Sequence, residues 1–450
     1  MEWKTSALRA AFGRGTVVGV ALGAVALGIA ATPPQPTSVA QSVPAGWAKV
    51  VAFYRDGVEK AGIVGSSLLL IRDGAVVARE TAGYADLEAR RPVDADTIFH
   101  WASITKTFTG IAIMQLRDRG LLKLDDPILK YVPELRAVHN PFGDMSQITL
   151  KHLMSHSAGF RAGTWPWGGD KPWHPFEPPG WAQVAAMLPY TEILFQPGSR
   201  YSYSNPGVIF LGRVIEALSG DDYEMYVTKN ILMPLGMHRS FFDRAPYHLA
   251  GDRSHSYFRN DQGLREARFD FDTGITVSNG GLNAPLDDMA KYLRFLLGGA
   301  HERGAYDGVL KRSSLEEMWV PLVRAEDGEG GSGSDVHAAL SFFVERHQGL
   351  EFVAHSGNQN GFISHFYLHL PTRTAYIVSF NTDVVSKEKG GTNLTRALDN
   401  DLRDVLIEEI ISVGRTNMDA ARPGTDSGLN LSDLLPAPVR TPAGTSSLEQ

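Results

Sequence analysis

Strand-forming patterns sit at the two ends of the globular part of this chain, with mostly helical pattern between them. That arrangement leaves few folds open. At one end, Ser67-Leu-Leu-Leu-Ile-Arg72 and Ala75-Val-Val-Ala-Arg-Glu80 flank Asp73-Gly74. An Asp-Gly pair between two such runs reads as a tight hairpin turn, whose central residues take positive φ. At the other end, residues 350–355, 362–368 and 374–380 are runs of strand length rich in β-branched and aromatic residues. Residues 101–300 are mainly helical in pattern, and residues 394–411 have helical spacing that would pack back on the later strands. The expectation is an α/β fold with one antiparallel sheet, built from both ends of the chain and carrying an inserted helical region.

Composition narrows the chemistry. With 43 Lys and Arg against 50 Asp and Glu, a net charge of −7 argues against a nucleic-acid-binding surface. The absence of cysteine excludes disulfides, thiolate metal sites and cysteine nucleophiles. Reactive groups must be oxygen and nitrogen side chains. Lys4, Arg9 and Arg14 precede an apolar stretch over 16–31, shorter than the ~20 residues that span a bilayer. Residues 1–40 therefore read as an export signal, or as an N-terminal anchor if uncleaved. The body is expected to be periplasmic or extracellular, touching a membrane only through an uncleaved segment. Its globular part runs over 41–412, and residues 413–450, rich in Pro, Gly, Ser and Thr, read as a disordered tail. Residues 163–181 hold four of the eight tryptophans, as a lid or a packed surface loop, and the Gly/Ser-rich stretch 326–335 reads as a mobile loop.

Ser103-Ile-Thr-Lys106 is the first chemical signal. Three residues apart on a helix, the two side chains share a face, so the amine can sit against the hydroxyl. In a dry setting the lysine can give up its proton and serve as a base. The helix N-terminus favours negative charge developing at Ser103. A second match, Ser386-Lys-Glu-Lys389, lies in a charged stretch before two glycines and reads as a solvated loop. The first runs into Thr107-Phe-Thr-Gly-Ile-Ala-Ile-Met, which reads as a buried helix.

Two further stretches follow in order. Tyr203-Ser-Asn205 offers a phenol and a carboxamide on a turn before a helix. His355-Ser-Gly357, followed by Asn358, offers an imidazole and a glycine that lets a substrate approach the strand edge. His152 and His156 have the spacing of helical metal ligands, but no neighbouring carboxylate completes a site, and they read as structural.

Together these motifs resemble the serine β-lactamase and penicillin-binding protein superfamily, in its class C-like branch of β-lactamases, D-aminopeptidases and esterases. Ser103–Lys106, Tyr203–Asn205 and His355–Gly357 match the three motifs in the superfamily's order. Residues 83–88, 148–160 and 278–289 are also similar to stretches of that group. The resemblance implies a β-lactamase/transpeptidase-like fold, an antiparallel sheet flanked by helices plus an all-helical domain, with the active site in the cleft between them. It implies an acyl-enzyme on Ser103, with Tyr203 and Lys106 moving the proton. The backbone N–H groups of Ser103 and Asn358 would form the oxyanion hole, and Asn205 would bond the substrate's acyl-side amide or the lysine. The substrate would be a small molecule or short peptide, and no metal or organic cofactor is implied.

One departure matters. The third motif usually begins with lysine, which holds a substrate carboxylate, and here it begins with His355. An imidazole with an ordinary pKa is mostly neutral at pH 7, which favours substrates lacking a carboxylate and lets acidification restore the charge. The expected function is an exported serine hydrolase of amide or ester bonds. The alternatives are a true β-lactamase or a penicillin-binding protein that turns over slowly, and the sequence leaves the oligomeric state open.

Overall fold

Asp73 and Gly74 both take positive φ, 49° and 76°, and they join β1 (Gly65–Arg72) to β2 (Ala75–Asp86) in the hairpin expected from the sequence. The structure is a computed structural model, and it describes residues 43–163, 180–267, 274–298, 304, 306–325, 334–388 and 390–413. Residues 1–40, read as an export signal or anchor, most of the tryptophan-rich stretch, most of the Gly/Ser-rich stretch and the residues after 413 lie outside the described residues.

Further strands are β3 (Arg91–Pro92), β4 (Val323–Arg324), β5 (Asp335–Ala338), β6 (Phe343–His347), β7 (Leu350–Gln359), β8 (Phe362–His369) and β9 (Thr374–Phe380). They form one sheet in the order β3-β2-β1-β9-β8-β7-β6-β5-β4. Every neighbouring pair is antiparallel. The register of β1 on β9, from Ser66 opposite Phe380 to Arg72 opposite Thr374, joins early and late strands of the described chain inside the sheet. This is the sheet expected from strands at both ends.

The helices that matter here are α1 (Trp47–Ala61), α2 (Thr105–Asp118), α3 (Leu150–Met154), α4 (Asn205–Ser219), α5 (Val277–Gly280) and α6 (Leu394–Leu406). Side chains alternate across a strand, so Leu68 and Leu70 face α1 and α6, in a core with Tyr54, Phe352, Tyr376 and Leu402. Leu69 and Ile71 face the opposite way, into a larger core with Phe108, Phe210 and Leu293. The sheet is therefore covered on both faces, which is why β1 reads as an unbroken apolar run.

The region 101–300 is less purely helical than its pattern suggests. Within it, the short strand Leu282–Pro285 pairs with Ile98–His100 just ahead of the region, and residues 256–260 pair with 263–267. These strands are too short for periodicity to separate them from the helices around them.

Candidate active site

The turn that holds Ser103 is tied down at several points. Trp101 donates its backbone N–H to the Leu282 carbonyl at 2.8 Å and its indole N–H to the Ala284 carbonyl at 2.9 Å. Thr105 Oγ1 donates to the Ala102 carbonyl at 2.6 Å and accepts the Leu282 N–H at 3.0 Å. Ala102 sits at φ 48°, a conformation that costs a non-glycine residue about 1–3 kcal/mol and is common at functional turns. Residues Ala102–Ile104 form one 3₁₀ turn that runs straight into α2. Ser103 is thus half-buried at the entrance of a helix whose residues 105–116 are all buried.

Lys106 lies one turn on and is fully buried. Its Nζ donates to Ser103 Oγ at 3.0 Å and to the Asn279 carbonyl on α5 at 2.8 Å. The second bond depends on α5 being pinned in place. Thr109 Oγ1 on α2 donates to the Ser278 carbonyl at 2.6 Å, and Ser278 Oγ donates to the Val208 carbonyl on α4 at 3.3 Å. Lys106 Nζ also lies 4.9 Å from the ring centroid of Tyr203, within the range in which a cation is attracted to an aromatic face.

Tyr203 precedes α4, whose N-terminus is capped by Ser204, its side chain accepting the Gly207 N–H, with Pro206 in the first turn. Asn205 is the first residue of that helix. Its Oδ1 is buried and has no hydrogen-bond partner among the described residues, so this oxygen makes no bond to the lysine. The amide is left with an acceptor to offer.

Strand β7 approaches the Ser103 turn at Gly357. A Cβ built there would lie 2.3 Å from the Trp101 carbonyl oxygen and 2.6 Å from Ser364 Oγ. Only glycine permits this approach, because the neighbour that would have to yield is backbone. Asn358 follows at an exposed position on the same strand, opposite Ile363.

His355 corrects an expectation. It is 1% exposed, its ring 5.2 Å from that of Phe343. Burial first, and then the charge of Lys106, push its pKa down to about 3, since both disfavour an imidazolium. It does not behave as a solvent-exposed histidine that gains charge near pH 6. Its Nδ1 lies 2.7 Å from the Ser356 carbonyl. A carbonyl can only accept, so Nδ1 carries the proton and Nε2 is a bare acceptor. That Nε2 is buried with no partner among the described residues.

Two groups were missed in the sequence. Asn279 holds Lys106 through its carbonyl, a backbone contact that no residue pattern announces. His156 stacks on Tyr203, with ring centroids 4.5 Å apart and planes 30° apart. The sequence alone reads it, with His152, as structural. His152 does cap α3, where Thr149 and His152 form a capping box. Among the described residues no group of three or more His, Cys, Asp or Glu is arranged to hold a metal.

Comparison with known proteins adds to this geometry. The family described as Beta-lactamase matches residues 50–399. Esterase EstB of Burkholderia gladioli is 29% identical over 219 residues, 45% of this chain and 54% of that protein. A solved octameric penicillin-binding protein homologue from Pyrococcus abyssi superposes with a TM-score of 0.66 at 27% identity, covering 84% of this chain and 82% of the other. D-amino acid amidase from Ochrobactrum anthropi shares the fold, with a TM-score of 0.65 at 21% identity over 81% of this chain and 99% of that one. The chain spans about a third to a half of the length of the curated relatives it matches.

Proposed function

The chain belongs to the β-lactamase family, and on that premise we propose that it is a serine hydrolase that cleaves an ester or amide bond through an acyl-enzyme on Ser103. The observation that carries this reading is the fully buried Lys106, bonded at once to Ser103 Oγ at 3.0 Å and to a backbone carbonyl. Burying an amine is costly, and a surface role would not require it.

In the proposed reaction Ser103 Oγ attacks the acyl carbon while its proton passes to Tyr203 Oη, with Lys106 beside both. Base chemistry near neutrality needs a nearby cation to stabilise a phenolate, and Lys106 Nζ lies 4.9 Å from the centroid of the Tyr203 ring. The N–H groups of Ser103 and Asn358 receive the developing oxyanion, a contribution of ~3–4 kcal/mol per donor in hydrolases. When the intermediate collapses, the bond to the leaving group breaks and that group takes the proton. Water then attacks the acyl-enzyme by the same route, releasing the acid and restoring Ser103. Asn205, with its unbonded Oδ1, accepts from an amide of the substrate's acyl portion. No step calls for a metal or an organic cofactor.

The neutral His355 argues for substrates without a carboxylate at the position where the superfamily's lysine would hold one. The name of the Burkholderia relative supports ester cleavage. The likeness to a penicillin-binding protein homologue keeps slow acylation by β-lactams as the second reading. Residues 1–40 add the proposal that the enzyme is exported, touching a membrane only if that segment is uncleaved.

The experiment is turnover of p-nitrophenyl butyrate, a panel of D-amino-acid amides and nitrocefin by the purified chain. Steady turnover of an uncharged ester or amide above that of nitrocefin supports the proposal. A single burst with nitrocefin and no turnover of the rest would favour the penicillin-binding reading.

A further inference from the structure

We infer that His156 is a positioning residue that fixes the phenol of Tyr203 over Lys106. This rests on the reading above, in which Tyr203 carries the proton.

The backbone of His156 is the first sign. It follows α3 at φ 54°, a left-handed position after a helix that usually goes to glycine and otherwise to asparagine. A histidine there bears strain, and strain of this kind is retained where the side chain is needed. The carbonyl then accepts the Ser202 N–H at 2.8 Å. Ring Nδ1 accepts the Ser204 N–H at 3.2 Å. The residues on both sides of Tyr203 are therefore bound to one histidine, and its ring lies against the phenol between them at 4.5 Å. Phe343 lies 6.5 Å from His156 and 6.1 Å from Tyr201, and Tyr201 and Tyr203 pack against the small apolar cluster to which it belongs.

The protonation state follows from the geometry. A backbone N–H can only donate, so Nδ1 must keep its lone pair and the proton sits on Nε2. Protonating Nδ1 would break the bond to Ser204. Burial opposes that protonation, and the charges facing the ring, Lys106 on α2 and His355 on β7 when it is ionised, oppose it as well. The clamp is thus unchanged through the working range of pH, with Lys106 Nζ 4.9 Å from the centroid of the Tyr203 ring.

The test separates the two things the ring does. His156→Phe keeps an aromatic face and removes the acceptor. His156→Asn keeps an acceptor and suits the left-handed backbone, but removes the stack. With a p-nitrophenyl ester, His156→Phe is expected to lower kcat by roughly 10- to 100-fold, the scale of a misplaced catalytic group, with KM changed less than about threefold because ground-state binding is left intact. His156→Asn is expected to recover a measurable part of that kcat. Melting curves identify which variants are folded, and if Phe fails to fold, the kcat and KM of Asn against the unaltered chain decide. Equal kcat in unaltered and folded variant chains, or a loss confined to KM, would overturn the inference. No hydrolysis and no covalent labelling in the unaltered chain would instead overturn the hydrolase reading, and the inference with it.

Discussion

Lys106 Nζ and Ser103 Oγ are 3.0 Å apart, and the lysine that makes this contact is sealed from solvent. Three elements meet to produce the arrangement. The 3₁₀ turn supplies Ser103, α2 supplies the lysine, and α5 supplies the carbonyl that aims it.

If Lys106 and Tyr203 move one proton between them, their removal should not be additive. Lys106→Ala and Tyr203→Phe should each lower kcat by at least ~100-fold, the usual contribution of a general base. The double variant should be little worse than either, because groups acting as a unit are lost together. Near-normal kcat in Tyr203→Phe would move the base role to Lys106 alone, and full multiplication of the two losses would mean that the two groups act independently rather than as a unit.

Gly357 gives a steric prediction. Because a Cβ there would meet the Trp101 carbonyl at 2.3 Å, Gly357→Ala must push β7 away from the Ser103 turn. The expected cost is ~1–3 kcal/mol of stability, as for other overpacked sites. Activity should fall further than stability alone explains, since Asn358 moves with the strand. Urea unfolding together with kcat/KM measures both, and an unchanged pair of values would refute the close approach.

Stability should depend on pH in a two-sided way. Burial pushes His100 down to about 4 and His355 to about 3, and His156 well below the ordinary range. Each contributes stability above the unfolded value of about 6.5 that is lost as pH falls below it, because the unfolded chain takes up protons first. On the other face of the sheet, burial works against protonation of His365, but Asp399 at 2.9 Å and Glu345 outweigh it and hold the pKa up to about 9. That contribution is complete below about 6.5 and is lost as pH rises toward 9. The melting temperature should peak between these windows, and His365→Asn should flatten the alkaline decline. A melting temperature that keeps rising from pH 7 to 9 would contradict this.

How much of this was legible beforehand differs from element to element. The Asp73-Gly74 hairpin and the strands read at 350–355, 362–368 and 374–380 were legible because their patterns are local, although the first strand runs on to Gln359 and so takes in Gly357 and Asn358. The pairing of Ser103 with Lys106 was legible because helical spacing fixes it. The environment of His355 was not: its neighbours Phe343 and Lys106 come from other elements, and only their convergence turns an ordinary imidazole into a buried neutral one. His156 failed for a related reason. Its partners, Ser202, Tyr203 and Ser204, lie almost fifty residues on, and its spacing from His152 pointed to a shared helical role that the turn at φ 54° ends.

The burial of His355 also changes what acidification should do to specificity. The preference for p-nitrophenyl butyrate over nitrocefin should stay constant between pH 8 and 5.5, because the imidazole gains no charge in that range. A preference that narrows with a midpoint near 6.5 would mean that His355 titrates like an exposed histidine. Nitrocefin hydrolysis at ~10⁶ M⁻¹s⁻¹ or above, within the range of efficient enzymes, would make the protein a β-lactamase.

The most direct measurement is the location of the covalent adduct. The purified chain and its Ser103→Ala variant are treated with a fluorophosphonate or a fluorescent penicillin, and the adduct is mapped by peptide mass spectrometry. One label per chain on the peptide bearing Ser103, with none in the variant, is the expected result. Labelling that persists in Ser103→Ala, or that maps to Ser386, would contradict the assignment of Ser103 as the nucleophile.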